Sequence, residues 1–185
     1  ERMEKVDTLL VDKTGTLTEG KPKVVAIEPF SGITEAELLR LAAAVERGSE
    51  HPLAGAVVRH AEQLGLLSRA ATNVHAAAGR GVSGVVGHVT VLVGNHRLFE
   101  ERHLCTDALH AHLDTMVAAG HTTVVVAREN VPVGVIAIAD RPREASRAAI
   151  ARLRHDGIDA VVLLTGDGTA QARALADSVG IDDVR

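Results

Sequence analysis

The sequence predicts an α/β domain made from both ends of the chain and interrupted by an α+β region built on an antiparallel sheet. Three observations lead there. A short apolar run near the start, Thr8–Val11, and a fully apolar one near the end, Ala160–Leu164, each run into a polar loop, as buried parallel strands do. Between them lie Val-rich runs joined by turn residues, which read as antiparallel hairpins. The length of 185 residues suits one domain or two small ones, and 46% apolar with 24% charged residues is the balance of a folded chain.

The elements follow in order. Thr8–Val11 delivers Asp12 at its carboxyl end, and residues 13–18 form a loop whose Gly15 permits a tight turn. Residues 23–28 read as a strand. Thr34 caps a helix with acids in its first turn and Leu38, Leu41 and Val45 at helical spacing. Pro52 opens a second helix, to about Leu64. Residues 73–78, 82–86 and 89–93 read as strands, the last two joined through Gly87-His88. Helices follow at 97–101 and 107–119, then strands at 122–128 and 132–139 around Glu129-Asn130. Beyond Ala139 the pattern becomes helix, buried strand, loop, helix: Pro142 in a first turn, Ala160–Leu164, and a last helix marked by Ala172, Leu175 and Val179. The division expected is 1–19 with 136–185 for the α/β part and 20–135 for the inserted part. The insert should be a sheet with helices on one side, and the α/β part, with so few strands, should be thinly covered.

Composition excludes several functions. Twenty basic against 24 acidic residues leave a net charge of −4, and with no Trp, no Tyr and two Phe there is no platform for stacking bases. Nucleic acid is not an expected partner. Cys105 is the single cysteine, so neither an internal disulfide nor a cysteine-based zinc knuckle can form, which fits a reducing compartment. No apolar run approaches the ~20 residues of a bilayer-spanning helix. The start has no secretory signal, and both ends read as cuts from something longer.

The chemistry begins at Asp12-Lys13-Thr14-Gly15-Thr16-Leu17-Thr18. A carboxylate at the tip of a parallel strand stands in the crevice where α/β sheets bind ligands, and it can attack a phosphoryl group to give an aspartyl phosphate. The loop after it offers N–H groups and hydroxyls to phosphate oxygens. This string resembles the phosphorylation motif of the P-type ATPases, cation pumps on the haloacid-dehalogenase-like fold. Phosphatases of that fold carry a second Asp two residues on, as acid and base; here the residue is Thr14, and a hydroxyl is no base near neutral pH, so a phosphoenzyme should persist. Thr165-Gly166-Asp167 resembles the family's second phosphate motif, and Asp140-Arg141-Pro142-Arg143 its Asp-x-x-Lys/Arg element, although the latter reads equally as a helix start.

The middle region carries further likeness. Glu46 and the run Ser49-Glu50-His51-Pro52 resemble the Ser-Glu-His-Pro element of the heavy-metal-transporting pumps, Gly79-Arg80-Gly81 their Gly-x-Gly loop, and Gly94-Asn95 their Gly-Asn pair. The resemblance covers essentially the whole chain. It implies a partial, Rossmann-like phosphorylation domain holding an inserted nucleotide-binding domain. Its implied catalytic residues are Asp12, Lys13, Thr14, Thr165, Gly166 and Asp167. ATP would be held by Glu46, His51, Gly79, Gly81, Gly94 and Asn95, with Asp140 and Arg143 near the join, and Mg²⁺ by Asp12 and Thr14.

It also implies a cytoplasmic portion of an integral membrane protein, whose transmembrane and actuator domains lie elsewhere and whose cargo is a heavy-metal ion. Likeness around residues 140–143 leans to zinc, cadmium or cobalt over copper. The family's catalytic Lys and its Gly-Asp-Gly-x-Asn-Asp motif do not occur after Gly180, so this stretch by itself is expected to bind ATP without turnover. Two alternatives stand beside this reading. One is a soluble phosphatase of the same fold with a cap domain, which Thr14 disfavours. The other is a histidine-based metal-binding module, suggested by ten histidines; but His110 and His112, flanked by His103 and His121, are two apart on a helix and face different sides.

Overall fold

The computed structural model describes residues 6–30, 32–165 and 169–185. Along the chain run β1 (Thr8–Asp12), β2 (Lys23–Pro29), α1 (Glu35–Glu46), α2 (Pro52–Gln63), β3 (Thr72–Ala77), β4 (Gly81–Val86), β5 (Val89–Gly94), α3 (His96–Glu101), α4 (Asp107–Ala118), β6 (Thr122–Arg128), β7 (Val131–Ala139), α5 (Glu144–His155), β8 (Ala160–Leu164), α6 (Thr169–Val179) and β9 (Asp183–Val184). They form two compact units. The terminal unit holds the chain up to Lys21, Val117–Gly120 and everything from Asp140; the central unit holds Pro22–Met116 and His121–Ala139.

The central unit is a six-stranded antiparallel sheet in the order β2-β7-β6-β5-β4-β3. Glu129 and Asn130 take positive φ, 50° and 63°, the mirror-image turn that suits the twist of a hairpin. Helices cover both faces, which corrects the expectation of one. Val124, Val126, Ile136 and Ile138 join α1 and α2 in one core, while Val125, Ala127, Val135 and Ala137 join α3 and α4 in another around the fully buried Phe99. The unbroken apolar runs of β6 and β7 are the sequence mark of a sheet covered twice. The expected boundary at residue 136 is also corrected, because Ile136–Ala139 pairs with β2 and β6 in this sheet.

The terminal unit is a three-stranded parallel sheet, β1-β8-β9, with Asp12 opposite Leu164. Val11, Val161 and Leu163 pack with Ile150 of α5 and with Ala172, Leu175, Ala176 and Val179 of α6. On the alternate positions Val162 is buried, but its register partner Leu10 is 59% exposed. The helix expected from Pro142 starts later, at Glu144. Pro142 instead forms a bridge with Thr18, which holds the preceding segment extended. Among the described residues no helix is long and apolar enough to cross a membrane.

Candidate functional sites

In the terminal unit, Asp12 ends β1 and is exposed, and Thr165 follows the neighbouring end of β8. Parallel pairing thus puts the two candidate residues on adjacent strand tips. Asp12 is followed by a loop closed by the Thr18 N–H donating to the Lys13 carbonyl at 3.2 Å, with Gly15 at φ +78°. Lys13 is half-buried, whereas Thr14 is exposed. Gly166 and Asp167 lie outside the described residues.

The loop is gripped from the 140–146 segment. The Thr18 hydroxyl, fully buried, donates to Asp140 Oδ2 at 2.6 Å and accepts from the Gly15 N–H at 3.2 Å. Asp140 also accepts from the Gly20 and Lys21 N–H groups, at 3.2 and 3.0 Å. Arg143 donates through its guanidinium to the Gly15 carbonyl at 2.8 Å, and the Ser146 hydroxyl donates to the Leu17 carbonyl at 2.9 Å. Asp140 and Arg143 were candidates for nucleotide contact; both are engaged in holding the loop behind Asp12. Thr18, quoted in the motif but given no role by it, is the hub of that grip.

In the central unit the candidates form two groups. Glu46 closes α1 and Ser49 follows, its N–H donating to the Glu46 carbonyl at 2.9 Å and its hydroxyl accepting from the His51 N–H at 3.3 Å. Burial pushes the Glu46 carboxyl up to about 7, against a side-chain hydrogen bond with Ser49, which lowers it. His51 caps α2, its Nδ1 accepting from the Leu53 N–H at 3.2 Å. That bond assigns the proton of a neutral ring to Nε2, leaving a donor on an exposed imidazole. Ser49, which sequence reasoning left without a role, is the link between the two.

The second group is the Gly79–Gly81 loop against Gly94-Asn95. Gly81 and Gly94 are register partners in β4 and β5. A Cβ on Gly81 would lie 2.2 Å from the Val93 carbonyl oxygen, and one on Gly94 2.6 Å from Leu98 Cδ2. Both glycines are therefore required by packing, whatever they bind. Asn95 caps α3 by accepting from the Leu98 N–H at 3.1 Å, and its amide donates to the Gly79 carbonyl at 3.1 Å. Gly79, at φ +68°, has nothing within 4 Å of where a Cβ would stand. Helix α1, which carries Glu46, packs on β4 and β5.

Residues 6–185 match the haloacid dehalogenase-like hydrolase family. The chain belongs to that family. Over 184 residues it is 44% identical to a silver-exporting P-type ATPase of Salmonella typhimurium, covering 100% of this chain and 22% of that protein. A zinc/cadmium/lead-transporting P-type ATPase of Escherichia coli (strain K12) is 40% identical over 185 residues, covering 98% of this chain and 24% of the relative. The crystal structure of a zinc-transporting PIB-type ATPase in its E2·Pi state superposes with a TM-score of 0.76 at 39% identity, over 97% of this chain and 29% of the other. This haloacid dehalogenase-like chain thus spans under a quarter of the length of these two curated relatives and matches one stretch of each.

Proposed function

We propose that the chain is the ATP-binding and phosphorylation region of a heavy-metal-transporting P-type ATPase, with Asp12 the residue that takes the γ-phosphoryl group. The observation that carries this reading is an exposed Asp12 carboxylate on a parallel strand tip, followed two residues on by Thr14 instead of a second acid. A carboxylate oxygen of Asp12 attacks the γ-phosphorus, the bond to the β,γ-bridging oxygen breaks, and ADP leaves. Thr14 cannot draw a proton from water near neutral pH, so the aspartyl phosphate lasts long enough to drive a conformational step. Lys13, Thr165, Gly166 and Asp167 would contact the phosphoryl oxygens, and the grip of Asp140 and Arg143 on the loop fixes where Asp12 points.

The donors fit Mg²⁺. Asp12 accepts no hydrogen bond from a described residue, and with Thr14 it offers the hard oxygen ligands that this ion takes alongside phosphate and water. When bound there, Mg²⁺ offsets the negative charge of the transferring phosphoryl group. In the central unit the Nε2–H of His51 and the Glu46 carboxyl would meet the adenine edge, while Gly79, Gly81, Gly94 and Asn95 would let backbone approach the nucleotide. The cargo would be a heavy-metal ion passing through membrane segments of the longer protein, of which this would be a cytoplasmic portion. Silver-exporting and zinc/cadmium/lead-transporting relatives match at 44% and 40%, so the lean toward zinc from residues 140–143 gains no support. Asp140, Pro142 and Arg143 hold the loop behind Asp12.

Titrating the chain with ATP by calorimetry should show binding, and His51→Ala should weaken it by about 1–3 kcal/mol through a lost hydrogen bond. Unchanged affinity removes His51 from the pocket. In the full-length transporter this reading implies, labelled ATP should leave acid-stable, hydroxylamine-labile label on the protein, and Asp12→Asn should abolish it. Rapid hydrolysis of small phosphomonoesters with no such label would favour the phosphatase reading instead.

A further inference from the structure

Away from both candidate sites, the corner between α3 and α4 gathers metal-binding side chains. His96 opens α3, Cys105 lies in the connection, and His110 sits in the first turns of α4. One ligand atom from each, an imidazole nitrogen or the Cys105 Sγ, lies within 4.8 Å of the other two. The imidazoles meet edge to face with centroids 4.8 Å apart and planes at 77°. His96 Nε2 is buried and has no hydrogen-bond partner among the described residues; Glu100 Oε1, one turn further along α3, is 3.6 Å away. A buried ring nitrogen without a hydrogen bond is costly, and a bound cation would satisfy it.

We propose that His96, Cys105 and His110 bind a thiophilic d10 cation, with Glu100 completing a four-donor set for Zn²⁺. Two imidazoles, a thiolate and a carboxylate are ligands that this ion takes in tetrahedral sites. Bond lengths of about 2.0–2.3 Å place tetrahedral donors roughly 3.5 Å apart, so the three-residue cluster need close by about 1 Å, and Glu100, 3.6 Å from His96 but outside that cluster, must swing toward Cys105 and His110. Binding releases the Cys105 thiol proton to solvent, and the cation would tie two helices joined by a short connection. The site is not the histidine cluster the sequence suggested. His112 points elsewhere, with Nδ1 2.9 Å from Glu28 Oε2 and its ring 5.1 Å from that of Phe30. His96 and Cys105 follow no ligand spacing that a sequence motif would catch.

Cobalt(II) titration of the metal-free chain should give a thiolate-to-cobalt charge-transfer band with tetrahedral d–d absorption, and Zn²⁺ should displace it. Cys105→Ser should remove the band. His96→Ala and His110→Ala should each weaken Zn²⁺ by more than the ~10–100-fold that losing a supporting group costs. His88→Ala, at the exposed β4–β5 turn, should change nothing. Glu100→Gln should weaken Zn²⁺ and leave Cu⁺, assayed anaerobically against a chromogenic chelator, unaffected; an equal effect on both ions, or none, removes Glu100 from the set. Should any variant fail to fold by circular dichroism, protection decides on the unaltered chain: Zn²⁺ should slow iodoacetamide alkylation of Cys105. Alkylation indifferent to Zn²⁺, or a cobalt spectrum without a thiolate band, overturns the site.

Discussion

In β6 of the central unit, Val124 and Val126 face one layer of helices while Val125 and Ala127 face another. In β1 of the terminal unit, Val11 faces a core and Leu10, its neighbour, is 59% exposed. The first sheet draws on two apolar layers, the second on one principal layer and a short, three-stranded frame. Burial scales with apolar area removed from water, so the central unit should carry the larger share of the stability. The strand that bears Asp12 belongs to the less covered sheet.

The largest effect should come from emptying one central layer. Phe99→Ala should destabilise by about 3–5 kcal/mol in urea unfolding, because a fully buried ring leaves a cavity, whereas Leu10→Ala should stay within about 0.5 kcal/mol. Native-state hydrogen exchange should agree, with β6 and β7 amides slower than those of β1. Similar costs and uniform protection would break the comparison.

A buried acid sharpens it from the other side. The Glu46 carboxyl is held up at about 7 by burial, from 4.5 in the ordinary state. Between those values Glu46 binds more proton in the folded chain than in the unfolded one, so its contribution to stability is fully present below pH 4.5 and is lost as pH rises through 7. Glu46→Gln, which resembles the protonated acid, should therefore stabilise the central unit at pH 8 by up to about 3 kcal/mol. Below pH 4.5 it should bring no gain. Urea midpoints at the two pH values check the sign; a gain confined to acid pH would contradict it.

In the terminal unit, Asp140→Ala should cost about 2 kcal/mol, since three donors lose a charged acceptor. The Gly20 and Lys21 amides should exchange faster while those of β6 and β7 keep their rates. Smallest is Asn95→Ala, which removes an α3 cap and the tie to Gly79, at about 1 kcal/mol. Its effect should stay with the Leu98 amide and the Gly79 loop.

How far each feature was legible depended on how local its cause is. The strand ending at Asp12, the Thr34 cap and the turn at Glu129-Asn130 follow from neighbouring residues, and all appear where the sequence put them. Helix α5 begins two residues past Pro142 because Thr18, far away in sequence, pairs with that proline. Strand β9 is two residues long, too short for any periodicity, and exists because Arg185 and Thr165 complete its ladder with β8.

From the sequence alone came the alternation of strands and helices, the hairpins, the Asp12 string and the choice of Thr14, because each is written in contiguous residues whose propensity and chemistry act over a few bonds. Tertiary structure alone decided that Ile136–Ala139 stays in the central sheet and that Asp140 and Arg143 hold a loop. It likewise decided that Glu46 lies in surroundings that burial makes apolar, and that His96, Cys105 and His110 meet. These are outcomes of which distant surfaces exclude water together, and a free energy summed over the whole fold leaves no mark in a short stretch of sequence.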